Sequence, residues 1–478
     1  MLITDGRTSA PRADRRTARI DRLTAQDLSN LWPENLGWPQ DIGAIAVLDG
    51  AALLNVDDSV RLEDVLAAVA GRLHRVPRLR QVMYQPGAGL GGPLWADAAD
   101  FNLANHVRVR PLGSAAGEDD LLHVCAQLRA TPLDRSHPLW QLWLLPGLPD
   151  GRVGMLLRLH HVIADGVAGV ALIGDLLDVT GGAAAGTTLP WTPRPVPSTP
   201  ALLADNLRRR GAALTAAVAR TAHPMRTVRA IRRGWPAMRE VLAGDRAPRT
   251  SLNRPFAGER RLALVRARLD AAKQCARAHE ATVNDVVLAV VAGGLRDLLV
   301  HRGEPVDGLV LLAAIPVSLH RQAPGQARGN LDGGMVVPLP IGEPDPAVRL
   351  RLIAADTMQR KRMPRPPLFA GILGVAAVQR AVARTMARQR RANIYVANVP
   401  GPPVRLHLAG APLDEVFPVV PIMGNIGLGI GVLSYAGQLT FTAVADRAGF
   451  PDLPVFLAGM QRALALLNIS DRLPVQDG

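Results

Sequence analysis

A break at residues 181–199, rich in Gly, Ala, Thr and Pro and carrying Pro190, Pro193, Pro195 and Pro197, divides this chain into two stretches that each mix strand and helix patterns. It reads as an exposed linker. Before it, strand-like runs at 42–48 and 153–159 alternate with helix-like runs at 62–73 and 119–130. After it, Thr282 stands as N-cap to an apolar run at 286–295 that is too uniform for a surface helix, and 309–319 and 335–340 look like buried strands. At 478 residues the chain exceeds what one hydrophobic core usually organises. The pattern predicts an α/β protein of two similar-sized lobes with a ligand cleft between them. The expected divisions are a basic tail at 1–19, a first lobe at 20–180, a linker with basic amphipathic helical segments at 181–260, and a second lobe at 261–478.

Apolar residues make up 48% of the chain and aromatics only 4%, so the interior should be aliphatic. The formal net charge of +14 is almost wholly arginine, since Lys273 and Lys361 are the only lysines. Such a balance attracts polyanions: nucleic acid, anionic lipid headgroups or phosphate-bearing cofactors. No zinc-finger, helix-turn-helix or RNA-binding signature accompanies it, so nucleic acid is not expected as a partner. Cys125 and Cys275 stand too far apart for a CxxC pair, which fits a reducing, cytoplasmic compartment. The opening residues, with Arg7, Arg12, Arg15, Arg16 and Arg19, lack the apolar core of a signal peptide.

The uncharged stretch 416–445 is the one candidate for a membrane span, yet it contains Pro418, Pro421 and glycines at 424, 427, 429, 431 and 437. Ile426, Leu428, Ile430 and Val432 alternate, which predicts paired strands rather than a transmembrane helix. Membrane association is then expected only at a surface. Residues 202–242 interleave apolar positions with arginines such as Arg208, Arg209 and Arg210, and suit either lying on anionic lipid or strapping one lobe to the other. Arg380, Arg384 and Arg388 form a second basic stripe at i, i+4 spacing.

The chemistry concentrates at His160-His161-Val162-Ile163-Ala164-Asp165-Gly166, where a short apolar run gives way to a turn and then to a helix-compatible segment. An imidazole with an ordinary pKa of about 6.5 is a proton acceptor at neutral pH. In one reading His161 takes the hydroxyl proton of an acyl acceptor, Asp165 holds the turn by pairing with an arginine, and Gly166 permits close backbone approach. In the other, the pair are core histidines satisfied by backbone carbonyls. Zinc is disfavoured, because adjacent histidines on a strand face opposite ways and no HExxH or supporting cluster appears; no metal is expected. No GxSxG elbow or phosphate-binding glycine loop is present. Asp285, three residues after Thr282, completes a capping-box arrangement, while Asn284 at the same helix start is placed to orient substrate or a developing oxyanion.

The HHxxxDG segment, preceded by Pro138-Leu139-Trp140 and followed by Thr282-Val283-Asn284-Asp285, resembles the bacterial wax ester synthase/diacylglycerol acyltransferase family. Pro316-Val317-Ser318-Leu319, Gly329-Asn330, Leu339-Pro340, Asp345-Pro346, Asn398-Val399-Pro400-Gly401-Pro402 and Ser434-Tyr435 follow in the same order. The resemblance runs from about Asp21 to Leu467. It implies two chloramphenicol-acetyltransferase-like lobes joined by the long, partly helical linker, with His161 at their interface as proton acceptor. It further implies acyl-CoA as co-substrate with no resident cofactor, and diacylglycerol or a fatty alcohol as acceptor, giving triacylglycerol or wax ester. His160, Asp165 and Gly166 complete the catalytic set, and Asn284, Asp285, Pro138, Leu139 and Trp140 are expected to orient substrate or shape the site. The protein would then work in the cytoplasm or at the surface of the inner membrane or a lipid droplet. His320, Gln141 and Ala397 depart from the residues usual in that family and bear on acceptor preference. Two alternatives stand beside it: a condensation-type acyltransferase using a carrier-bound donor and an amine acceptor, and a non-catalytic lipid-binding protein.

Overall fold

The computed structural model describes residues 20–31, 33–113, 116–180, 190–222, 232, 246–318, 332–361 and 387–470. The strands are β1 (Asp41–Leu48), β2 (Gln81–Tyr84), β3 (Leu94–Asp97), β4 (Val107–Val109), β5 (Trp140–Pro146), β6 (Val153–His160) and β7 (Arg260–Arg268). They continue with β8 (Val310–Ser318), β9 (Asp332–Pro340), β10 (Ile394–Pro400), β11 (His407–Leu408), β12 (Ala411–Val419), β13 (Leu428–Tyr435) and β14 (Gln438–Asp446). The helices are α1 (Ala25–Ser29), α2 (Leu62–Ala70), α3 (Glu118–Ala130), α4 (Gly166–Leu176) and α5 (Thr199–Ala222). After them come α6 (Leu269–Ala278), α7 (Val283–His301), α8 (Pro346–Lys361) and α9 (Leu453–Leu466).

The two alternating patterns become two mixed six-stranded sheets, ordered β11-β12-β1-β6-β5-β4 and β7-β14-β13-β10-β8-β9. This is the α/β, two-lobed arrangement the pattern predicts, with one crossing that local pattern does not announce. After β10 the chain leaves the second sheet, lays β11 and β12 along the edge of β1, and returns as β13. The expected second lobe at 261–478 therefore lends residues 407–419 to the first sheet. In β1, Gly43 lies so close to β6 that a Cβ there would sit 1.9 Å from the Leu157 carbonyl oxygen, so only glycine fits.

Uncharged residues 416–445 form strands, as their period of two requires, and no described helix is long and apolar enough to cross a membrane. α7 is buried along its length from Asp285 to Leu295 and packs under the second sheet. A third apolar layer, including Ile45, Leu156, Phe417, Leu121 and Leu264, fills the seam between the sheets. Arg266 of β7 clamps it, binding Glu118 of α3 and donating to Glu415 of β12 at 2.9 Å.

Within that seam sits a buried charge cluster. Arg129 Nε donates to Asp41 Oδ2 at 2.8 Å, and Arg158 Nε approaches the same oxygen at 3.4 Å. Arg158 also donates to the carbonyls of Leu128 and, at 2.8 Å, Thr131. Burial opposes ionisation of Asp41, but Arg129, Arg158 and Arg260 hold its carboxyl below the usual range. Both cysteines are free and buried, and burial pushes the Cys125 thiol up to about 12, so it is no nucleophile.

The chain after the break is strapped to the first lobe around the β2–β3 hairpin. Trp191 meets the Phe101 ring edge-on, Arg22 pairs with Asp205 of α5 at 2.7 Å, and Asn206 donates to the Gly89 carbonyl at 2.7 Å. Beyond that anchor Leu207, Leu214 and Val218 are 60%, 66% and 58% exposed. The stripe partners Arg380 and Arg384 lie outside the described residues.

Candidate active site at the seam of the two sheets

β6 ends at His160, and the chain turns before α4 begins at Gly166. Both ends of that turn are tied by backbone bonds. His161 N–H donates to the Gln40 carbonyl at 2.8 Å, and Ile163 N–H donates to His160 O at 2.9 Å. Asp165 Oδ1 accepts from Ala168 N–H at 2.8 Å, so the side chain braces the turn as the N-cap of α4. Replacing Asp165 with alanine should lower stability by about 1–2 kcal/mol, read as a shift of the denaturant midpoint.

The two histidines have different surroundings. His160 is wholly buried. Its Nδ1 accepts from Val162 N–H at 3.0 Å, which leaves the proton on Nε2, facing Glu34 Oε1 at 3.1 Å although off the line of a straight hydrogen bond. Burial pushes the Glu34 carboxyl up, but His160, Arg135 at 2.9 Å and the Gln40 N–H at 3.3 Å outweigh it and hold the carboxyl below its ordinary value. His161 is only partly buried. Its Nδ1 lies 3.1 Å from the Asn30 amide nitrogen, which also reaches the His161 carbonyl at 3.3 Å.

Of the other expected residues, Gly166, Asn284 and Asp285 gather across the seam, while the Pro-Leu-Trp run lies behind it. A Cβ on Gly166 would meet Val399 of β10 at 3.1 Å, so the small residue admits the second sheet to the HHxxxDG turn. Next to Val399, Asn398 donates to Asn284 Oδ1 at 3.5 Å, a long contact that sets the start of α7 beside the same strand. Asp285 caps α7, taking Thr282 N–H at 2.8 Å, Thr282 Oγ1 at 2.7 Å and Thr357 Oγ1 at 2.7 Å. Leu139 O accepts from His160 N–H at 3.0 Å, and Trp140, fully buried, donates to Leu79 O at 2.8 Å and stacks on His106. These contacts give Pro138, Leu139 and Trp140 a supporting position. Asn30 and Glu34 touch the histidines, yet nothing in local spacing marks them.

Comparison with known proteins fits this geometry. Residues 23–287 match the wax ester synthase/diacylglycerol acyltransferase catalytic domain, and residues 328–468 match the C-terminal domain of the same family. A probable diacyglycerol O-acyltransferase of Mycobacterium tuberculosis is 30% identical over 443 residues, which cover 91% of this chain and 92% of that protein. The chain belongs to the wax ester synthase/diacylglycerol acyltransferase family. A putative diacyglycerol O-acyltransferase of the same organism is 29% identical, covering 96% and 92% of the two chains. The fold is shared with the wax ester synthase/diacylglycerol acyltransferase from Marinobacter aquaeolei VT8, at a TM-score of 0.65 and 22% identity over 94% and 98% of the chains. It is shared too with the starter condensation domain of rhizomide synthetase, at 0.59 and 16% over 94% of each. Membership makes the chain an acyl-CoA-dependent acyltransferase with a lipid acceptor.

Proposed function

We propose that this acyltransferase moves a long-chain acyl group to the hydroxyl of a hydrophobic alcohol, diacylglycerol or a fatty alcohol, with His161 as the general base. The observation that carries the reading is the difference in burial: His160 is wholly buried, whereas His161 is only partly buried, at the start of the turn that ends with Gly166 against Val399. His161 withdraws the proton as the alcohol oxygen attacks the thioester carbonyl. The tetrahedral oxyanion collapses, and the imidazolium protonates the departing thiolate, so no acyl-enzyme is needed. Asn284 is the candidate donor to the oxyanion. His160, Glu34, Asp165 and Gly166 act as positioning groups for the turn.

As placed, the Asn30 NH2 faces both Nδ1 and the His161 carbonyl, an arrangement that leaves the proton on Nε2. A base at Nε2 requires a half-turn of that amide, so that its oxygen takes the proton on Nδ1. Asn30 thereby selects the tautomer. Asn30→Leu should lower kcat about tenfold with little change in KM, the loss expected for one hydrogen bond of about 1.4 kcal/mol in the transition state.

The aliphatic interior suits acyl chains. On α5, Leu203, Leu207, Leu214 and Val218 share one exposed helical face with Arg210 beside it, a combination suited to an anionic membrane or lipid-droplet surface. The acceptor is tested by incubating purified protein and radiolabelled palmitoyl-CoA with diacylglycerol, hexadecanol and hexadecylamine. Labelled ester with either alcohol supports the reading; amide alone would favour condensation-type chemistry, and no product with any acceptor a binding role.

A further inference from the structure

Between α3 of the first lobe and β7 of the second lies a cavity of about 340 Å³, lined by Arg260, Arg261, Arg447, His123 and Asp119 over an aliphatic floor. Its inner wall is unusual. Arg260 is 7% exposed, and its Nε and Nη2 have no hydrogen-bond partner among the described residues. A buried guanidinium with open donors is costly unless an anion meets it. The neighbouring carboxylates are engaged elsewhere. Asp41 is shared by Arg129 and Arg158, Asp446 accepts from Ala257 N–H at 3.0 Å and Gly449 N–H at 2.8 Å, and Glu259 lies 3.8 Å from Arg447 at the exposed rim. Three arginines thus line the cavity against one carboxylate, Asp119, and burial, together with Arg129 and Arg158, outweighs Asp41 and Asp446 and pulls Arg260 down to about 10.

The position of the cavity suggests what fills it. Ala126 of α3 lines it, and Arg129, three residues and about 5 Å further along that helix, binds Asp41. Asp41 in turn sits opposite His160 in the β1–β6 register, next to His161. Cavity and base are thus linked through α3, the Arg129–Asp41 pair and the end of β6, which puts an arginine-lined anion site beside the seam that holds the base. A half-open cavity of this size takes a phosphate group and its immediate neighbours rather than a polymer.

We propose that this cavity is the subsite for a phosphate group of the acyl-CoA donor, held from within by Arg260 and at the rim by Arg261 and Arg447. The inference rests on acyl-CoA being the donor. It is tested by calorimetric titration of the full chain with CoA, with phosphate-free pantetheine and with inorganic phosphate, alongside transfer assays using palmitoyl-CoA and the palmitoyl thioester of N-acetylcysteamine. Arg261→Gln/Arg447→Gln, altered only at exposed positions, should bind CoA at least tenfold more weakly and show a raised KM for palmitoyl-CoA. Its pantetheine binding and its kcat/KM on the phosphate-free thioester should match the parent. Arg260→Gln, checked for folding by its melting curve, should lose more.

Unchanged CoA affinity in the folded double variant would overturn the subsite while leaving the transferase reading intact. Equal weakening of inorganic phosphate and CoA, with no gain in affinity from the rest of CoA, would overturn the donor assignment and leave a free-phosphate site. Weakened CoA binding in a protein that acylates no alcohol would support the subsite and remove the proposed acceptor.

Discussion

His161→Gln should lose about 10²- to 10⁴-fold in kcat, roughly 3–5 kcal/mol of barrier, while keeping the parent melting temperature and its affinity for CoA. The loss is chemical because the ring is only partly buried and the backbone bond from His161 N–H to the Gln40 carbonyl survives the change. His160→Gln should behave differently. Its ring is buried between Val162 N–H and Glu34, so the variant should lose stability along with activity. Rates measured on folded protein, with melting curves beside them, separate the two roles. Near-parental turnover in a folded His161→Gln protein would end the general-base assignment.

Asp41→Asn should destabilise the fold by about 3–5 kcal/mol, because it leaves Arg129 and Arg158 buried against a neutral amide. The pH dependence has a definite sign. A carboxyl whose folded pKa is lowered contributes stability that is fully present above its unfolded value of about 3.9 and is lost as pH falls through the folded value. Asp41 and Glu34 are both lowered, so acid should weaken the parent below that point. Asp41→Asn should show a shallower acid limb. Urea midpoints at neutral and acid pH measure both effects, and an unchanged midpoint at neutral pH would refute the charge-cluster account.

What the sequence made legible was local. Thr282 and Asp285 are three residues apart, and their capping box forms as their spacing requires. The strands within 416–445 follow from alternation, but the placement of β12 beside β1 depends on packing hundreds of residues distant, which no short window contains. The same limit hid the partners of the histidines. Asn30 and His161 are 131 residues apart, and Glu34 meets His160 only because a short turn before β1 folds over the end of β6. For Asp165 a local signal went unused: an acidic residue just before an apolar run also reads as an N-cap, and that bond forms.

The most direct measurement is a rapid-quench single turnover with radiolabelled palmitoyl-CoA, excess enzyme and a hydrophobic alcohol, following free thiol, labelled ester and protein-bound label together. Direct attack assisted by His161 predicts that thiol and ester appear at one rate, that both slow by the same factor in His161→Gln, and that no label remains on denatured protein. Label held covalently on the protein before ester appears, or thiol released at full rate without alcohol, would contradict it.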